Sequence, residues 1–132
     1  MDAVSIVKEF VVRIPNKVGA LNKVLAPIAE EKINLNGVNV YAFANEGVVR
    51  LYSTEPEAMK NLLNQQRYTW WENEVVAYEI SNVPGQVADV TATLSQNNVN
   101  VHSLFATTGT GGNTTVYLWT SDNQKAYSVL KI

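Results

Sequence analysis

The chain contains no cysteine and a single histidine, His102, and these two shortages exclude more chemistry than any of its motifs suggests. Without cysteine there is no disulfide, no thiolate nucleophile and no iron–sulfur or zinc-thiolate centre, and the redox compartment stays open. A serine nucleophile needs a histidine to activate it, and one histidine cannot serve both a catalytic set and a metal site. His102 follows Val101 in an apparent strand, and no Asp, Glu and His residues recur at metal-ligand spacing. Neither a catalytic residue nor a metal or other cofactor is expected. Charge is scarce as well, at 17% of 132 residues with a net of −2, which gives no basic surface for nucleic acid or an anionic membrane. No apolar run approaches the ~18–20 residues of a membrane span. Met1-Asp2-Ala3-Val4 lacks the basic start and apolar stretch of a secretion signal, so a cytoplasmic location is expected.

What the chain does contain is one stretch written twice. Asn16-Lys17-Val18-Gly19, a helical pattern and Ile33-Asn34-Leu35 return as Asn82-Val83-Pro84-Gly85, a helical pattern and Val99-Asn100-Val101. Asn16 and Asn82, Gly19 and Gly85, and Asn34 and Asn100 are each 66 residues apart. Leu21, Val24, Ile28 and Ile33 fall on Val87, Val90, Leu94 and Val99 by the same shift. A period this long suits two copies of one small domain rather than a solenoid. Each copy alone buries only about 60% of its unfolded surface, so the two gain by packing together.

In the first unit, taken as residues 1–73, Ser5–Ile14 alternates as a strand with Phe10, Val12 and Ile14 on one face and Val11 and Arg13 on the other. Pro15 ends it, Asn16 is read as a helix N-cap, and Leu21, Val24, Leu25 and Ile28 form the apolar stripe of a helix that Pro27 is expected to kink or shorten. A second strand follows over 33–43, then a turn at Asn45-Glu46-Gly47 and a third strand. Thr54-Glu55-Pro56-Glu57 reads as a capping box before a helix burying Met59, Leu62 and Leu63. A fourth strand over 67–71 and a break at Glu72-Asn73-Glu74 complete a strand-helix-strand-strand-helix-strand order. The second unit, 74–132, repeats it with Val87, Val90, Thr91 and Leu94 inward and a capping box at Ser121-Asp122-Asn123-Gln124, but lacks the last strand. The shift becomes 67 after Gly109-Thr110-Gly111-Gly112, a loop between strands and not a phosphate cradle, because no helix start or Gly-Lys-Ser/Thr ending follows it. The fold class predicted is α+β: two ferredoxin-like βαββαβ units in tandem, the second without its last strand, with associated antiparallel sheets.

Two features point to a homodimer. The missing strand leaves an edge that the extra residues Ser5, Ile6 and Val7, from this chain or a neighbour, are placed to cover. Period-two alternation also puts Arg50, Tyr52, Tyr117 and Trp119 on the sheet faces away from the helices, where large rings invite a partner. The repeated helix entrances leave two uses open. Asn16 and Asn82 serve only as caps, or the first-turn amides, with a glycine that admits close approach, hold the carboxylate of a small zwitterion.

With its doubled Asn-x-x-Gly loop and doubled Ile/Val-Asn-Leu/Val segment, the chain resembles the ACT domain family of small-molecule regulatory modules, whose pattern is a strand, Asp/Asn-x-Pro-Gly-x-Leu, a helix and Ile/Val-Asn-Ile. It looks like the stand-alone tandem members, with Val18 where proline is usual. The resemblance implies amino-acid binding at a domain interface, between the first loop of one unit and the start of the second strand of its neighbour. It nominates Asn16, Val18, Gly19, Ala20 and Asn34 in the first unit and Asn82, Pro84, Gly85, Gln86 and Asn100 in the second. It also implies a non-enzymatic role exercised on a separate metabolic enzyme. A regulatory subunit that senses no ligand is the alternative, and an RNA-binding plait of this topology would need more basic residues than Arg13 and Arg50 beside Glu79.

Overall fold

The computed structural model describes residues 3–108 and 112–131, so Gly109, Thr110 and Gly111 of the glycine run lie outside the described residues. The elements are β1 Val4–Pro15, α1 Ala20–Glu30, β2 Gly37–Phe43, β3 Glu46–Tyr52, α2 Pro56–Gln65, β4 Thr69–Ser81, α3 Gln86–Gln96, β5 Val101–Thr108, β6 Asn113–Thr120 and α4 Asn123–Leu130. They form two compact units, one of Lys8–Asn73 and one of Glu74–Ile132 together with Met1–Val7.

In the first unit the strands lie in the order β2-β3-β1-β4. β3 pairs antiparallel with both β1 and β2, with Phe10 opposite Leu51, Val12 opposite Val49 and Val40 opposite Val49. The even positions of β1 and the odd positions of β3 therefore share one face. That face meets the helices: Phe10, Val12, Ile14, Val49 and Leu51 bury against Val24 and Ile28 of α1 and Met59, Leu62 and Leu63 of α2. At ~1.5–3 kcal/mol for each fully buried side chain, this packing supplies the main force holding the unit.

In the second unit β6 pairs antiparallel with β4 and β5, and Val76, Ile80, Val116 and Leu118 meet Val90, Leu94, Ala126 and Leu130. The edge left vacant by the missing strand is filled from the same chain. The backbone N–H of Glu79 donates to the carbonyl of Ala3 at 2.7 Å, and Val4 is buried in this core. Two-fold repetition of the sequence thus becomes two units of the ferredoxin-like kind, the second completed by the start of β1.

Several local expectations are revised. No break separates the units, because β4 runs unbroken from Thr69 to Ser81. Asn73 donates there to Glu9 at 3.3 Å, and Glu72 stands 3.5 Å from Lys60 Nζ as a loose ion pair without a hydrogen bond. The second strand starts at Gly37 rather than residue 33. The hairpin turns at Ala44 and Asn45, with Ala44 at φ 55°. Gly47 lies in β3 instead, where a Cβ would stand 3.0 Å from Ile14 Cγ1, so packing rather than the turn calls for glycine. α1 is not shortened at Pro27 and continues to Glu30, its neighbours Val24 and Ile28 being held in the core. The cap of α2 is Glu55, not Thr54, and makes no side-chain bond. The cap of α4 is Asp122, not Ser121, and accepts from the Lys125 amide at 3.0 Å. Val87, expected inward, is 39% exposed. Among the described residues no helix is long and apolar enough to cross a membrane.

Candidate functional site

Both repeated loops close the same end of their units, and they do so bond for bond. In the first, the Asn16 amide donates to Asn45 O at 2.8 Å, Lys17 to Pro15 O at 3.0 Å, Ala20 to Lys17 O at 3.2 Å and Lys23 to Gly19 O at 3.2 Å. In the second, Asn82 donates to Gly112 O at 2.7 Å, Val83 to Ser81 O at 3.0 Å, Gln86 to Val83 O at 3.4 Å and Asp89 to Gly85 O at 2.9 Å. The missing proline at Val18 leaves this pattern unchanged.

Asparagine is not the cap. Gly19 and Gly85 occupy the N-cap positions at φ 86° and 89°, a left-handed conformation in which a side chain is strained, and neither makes room for a neighbour, since nothing lies within 4 Å of a Cβ built there. The Asn16 side chain instead donates to Ala44 O at 3.2 Å and ties the loop to the β2–β3 turn. No side-chain cap serves the start of α1 or α3, whereas α4 has Asp122. Apart from Ala20 and Gln86, whose amides bond within the loop, the first-turn amides of α1 and α3 point their partial positive charge outward.

The two entrances differ in charge. Lys17 and Lys23 flank the first, and their equivalents at the second are Val83 and Asp89, the latter in the first turn of α3. An acidic side chain there already complements the helix dipole and repels a second anion.

Asn34 and Asn100 sit elsewhere. Each follows the C-terminal end of its helix, after a left-handed residue (Lys32 φ 56°, Asn98 φ 59°). The Asn34 amide donates to Glu55 Oε2 at 3.1 Å and its carbonyl accepts from Ser53 Oγ at 2.8 Å. The Asn100 amide donates to Ser121 Oγ at 2.9 Å, and its carbonyl accepts from the Ser121 amide at 2.9 Å. Within one unit, an 11-residue helix of about 16 Å separates Asn34 from Asn16–Ala20, and the same holds for Asn100 and Asn82–Gln86. The nominated residues thus form two clusters per unit.

The sheet face away from the helices holds a group that the sequence reading did not single out. Glu9, 1% exposed, accepts from Arg50 Nη1 at 3.2 Å, from Asn73 Nδ2 at 3.3 Å and from the Tyr52 hydroxyl. Burial works against the charge on Arg50, but its bond to Tyr41 and the charge of Glu9 outweigh it and raise its pKa. The signal was a lone acid among β-branched residues in Ser5–Ile14. Tyr52 and Tyr117 are 2% and 7% exposed and only Trp119, at 37%, keeps much open surface, so two of the three rings do not call for a partner. His102 lies against Trp119, ring centroids 5.0 Å apart, and among the described residues no three His, Cys, Asp or Glu side chains gather as metal ligands.

A protein of Bacteroides thetaiotaomicron of known crystal structure superposes with a TM-score of 0.90 at 26% identity, over 98% of this chain and 89% of its own. The ligand-free regulatory subunit of aspartate kinase from Thermus thermophilus superposes at 0.64 with 13% identity, over 96% and 93% of the two chains. Aspartokinase alpha and beta subunits do so at 0.63 with 13% identity, over 97% and 94%. These last two share the fold. Among curated proteins none matches the sequence. The sequence profile of the ACT domain pair family matches residues 5–131, and the chain belongs to that family.

Proposed function

We propose that the protein is a non-enzymatic regulatory module that binds a free amino acid, with the ligand carboxylate on the α1 entrance. One observation carries this reading: two helix starts, each led by a left-handed glycine and lacking a side-chain cap, of which the first is flanked by Lys17 and Lys23. First-turn amides and two ammonium groups favour a carboxylate, while Asp89 disfavours one at the α3 entrance. The nominated contacts are Asn16, Val18, Gly19 and Ala20 for the first site and Asn82, Pro84, Gly85 and Gln86 for the second. Asn34 and Asn100 join only where a second-strand start from another unit faces an entrance.

A homodimer supplies such an arrangement. The outer edge strand of each unit, β2 in the first and β5 in the second, carries no Asp, Glu, Lys or Arg. Edge strands are usually blunted by charge, so uncharged edges favour pairing. The protein acts in the cytoplasm on a separate metabolic enzyme, a reading to which the regulatory subunit of aspartate kinase lends support as a structural relative.

A thermal-shift screen across the twenty amino acids tests the proposal, since ligand at 100 times its dissociation constant adds ~2.7 kcal/mol of stability. One amino acid is expected to raise the midpoint, and Lys17→Glu with Lys23→Glu to abolish the rise. A flat response to all twenty favours the alternative, a scaffold acting on its enzyme partner without sensing a ligand.

A further inference from the structure

The open sheet face of the Lys8–Asn73 unit carries a groove of about 320 Å³, distinct from both helix entrances. Tyr41 and Phe43 of β2 and Trp71 of β4 wall it, and Arg13, Glu46 and Arg50 supply its polar groups. The volume falls at the lower end of small-molecule sites. Its rings are not buried against protein: Phe43 is 78% exposed, and Tyr41 and Trp71 are each more than 40% exposed. Three partly solvated rings around one concavity are unusual on a sheet whose other back-face positions, Glu9, Val11 and Tyr52, are closed.

The lining carries two cations and one anion. Arg13 and Arg50 against Glu46 leave one net positive charge in a chain whose net charge is −2. Glu9, the partner of Arg50, lies beneath and does not line the groove. It accepts from Arg50 Nη1 while the guanidinium rests over Tyr41, 5.8 Å from the ring centroid, so Arg50 is held in place before any ligand arrives. Arg13 gives Glu46 its Nε and one terminal nitrogen. A guanidinium has five donors, so both arginines retain donors for an incoming anion.

We infer that this groove is a second ligand site, which takes a small planar aromatic molecule bearing one anionic group. The ring stacks among Tyr41, Phe43 and Trp71, and the anion takes the remaining donors of Arg13 and Arg50. The two arginines are not repeated in the second unit, where Glu79 stands at the position of Arg13 and Tyr117 at that of Arg50.

The test is a ¹H–¹⁵N titration of the full chain with 1-naphthoate, beside its uncharged analogue 1-naphthamide. Naphthoate is expected to shift the indole N–H of Trp71 and the amides of Tyr41 and Phe43 saturably. Naphthamide, which lacks the anion, is expected to bind at least about 5-fold more weakly. Phe43→Ala and Arg13→Gln, both exposed changes, are expected to weaken naphthoate about 10-fold and about 5-fold with the thermal midpoint unmoved. Three results overturn the inference: no saturable shift at millimolar naphthoate, equal binding of naphthamide, or shifts confined to residues 16–20 and 82–86.

Discussion

The two units share one backbone and divide their chemistry. Loop by loop the hydrogen bonds of Asn16–Lys23 recur at Asn82–Asp89, down to the left-handed glycine. The side chains set on that backbone are opposed. Lys17 and Lys23 face Val83 and Asp89 across the repeat, Arg13 with its Glu46 partner faces Glu79 with Asn113, and the buried Glu9–Arg50 pair faces Val75 and Tyr117. The difference teaches that folding constrains backbone conformation at the entrances far more tightly than it constrains charge, which leaves the two copies free to differ in their affinity for an anion.

The strongest way to break this comparison is to remove the charge pair that only the first unit buries. Glu9→Ala leaves the Arg50 guanidinium, 13% exposed, without its carboxylate and is expected to cost ~3–5 kcal/mol in urea unfolding. The double change Glu9→Val with Arg50→Tyr, which installs the residues of the second unit, is expected to cost at least ~1 kcal/mol less than the sum of its single changes. Additive losses would mean the pair is not a unit.

Next in size are the entrance glycines. Gly19→Ala and Gly85→Ala are each expected to cost ~1–2 kcal/mol by thermal unfolding, because both hold a left-handed backbone and neither position is crowded. Equal losses confirm the shared backbone, and a loss at one site alone would split the pair.

A smaller effect distinguishes the units by pH. Burial raises the pKa of Tyr117 above its ordinary value of about 10. Its contribution to stability is therefore whole below that value and is lost as pH rises through the folded-state value, since the unfolded chain gives up the proton first. Tyr117→Phe is expected to flatten the alkaline limb of a stability-against-pH curve, and an unaltered limb would contradict the assignment. Smallest is Val18→Pro, which copies Pro84 into an identical loop and is expected to add ~0.4–1 kcal/mol by stiffening the unfolded chain.

Much of this fold was legible because it was written twice. The shared register of Gly19 and Gly85, and of the apolar positions feeding both cores, identified two units before any coordinate. Strand faces followed from period two, as Phe10, Val12 and Ile14 show. Local polar chemistry was harder to read. Asn16 looks like a cap because asparagine caps helices, yet glycine three residues on already provides the turn and the side chain goes to Ala44. Glu72-Asn73-Glu74 looks like a break because it is polar, yet β4 runs through it, with Asn73 donating to Glu9 and Lys60 standing 3.5 Å from Glu72. Such partners lie 12 to 64 residues away and leave no local trace. The groove of Tyr41, Phe43 and Trp71 was missed for the same reason, since its walls come from two strands that are not adjacent in the sheet.

The central claim, that the first entrance binds the carboxylate and the second does so more weakly, is tested by following backbone amides while titrating the amino acid found by thermal shift. The amides of Ala20 and Leu21 are expected to move first and saturate, with those of Gln86 and Val87 following only at about 10-fold higher concentration. Movement of Gln86 and Val87 first, or of neither pair, would contradict it.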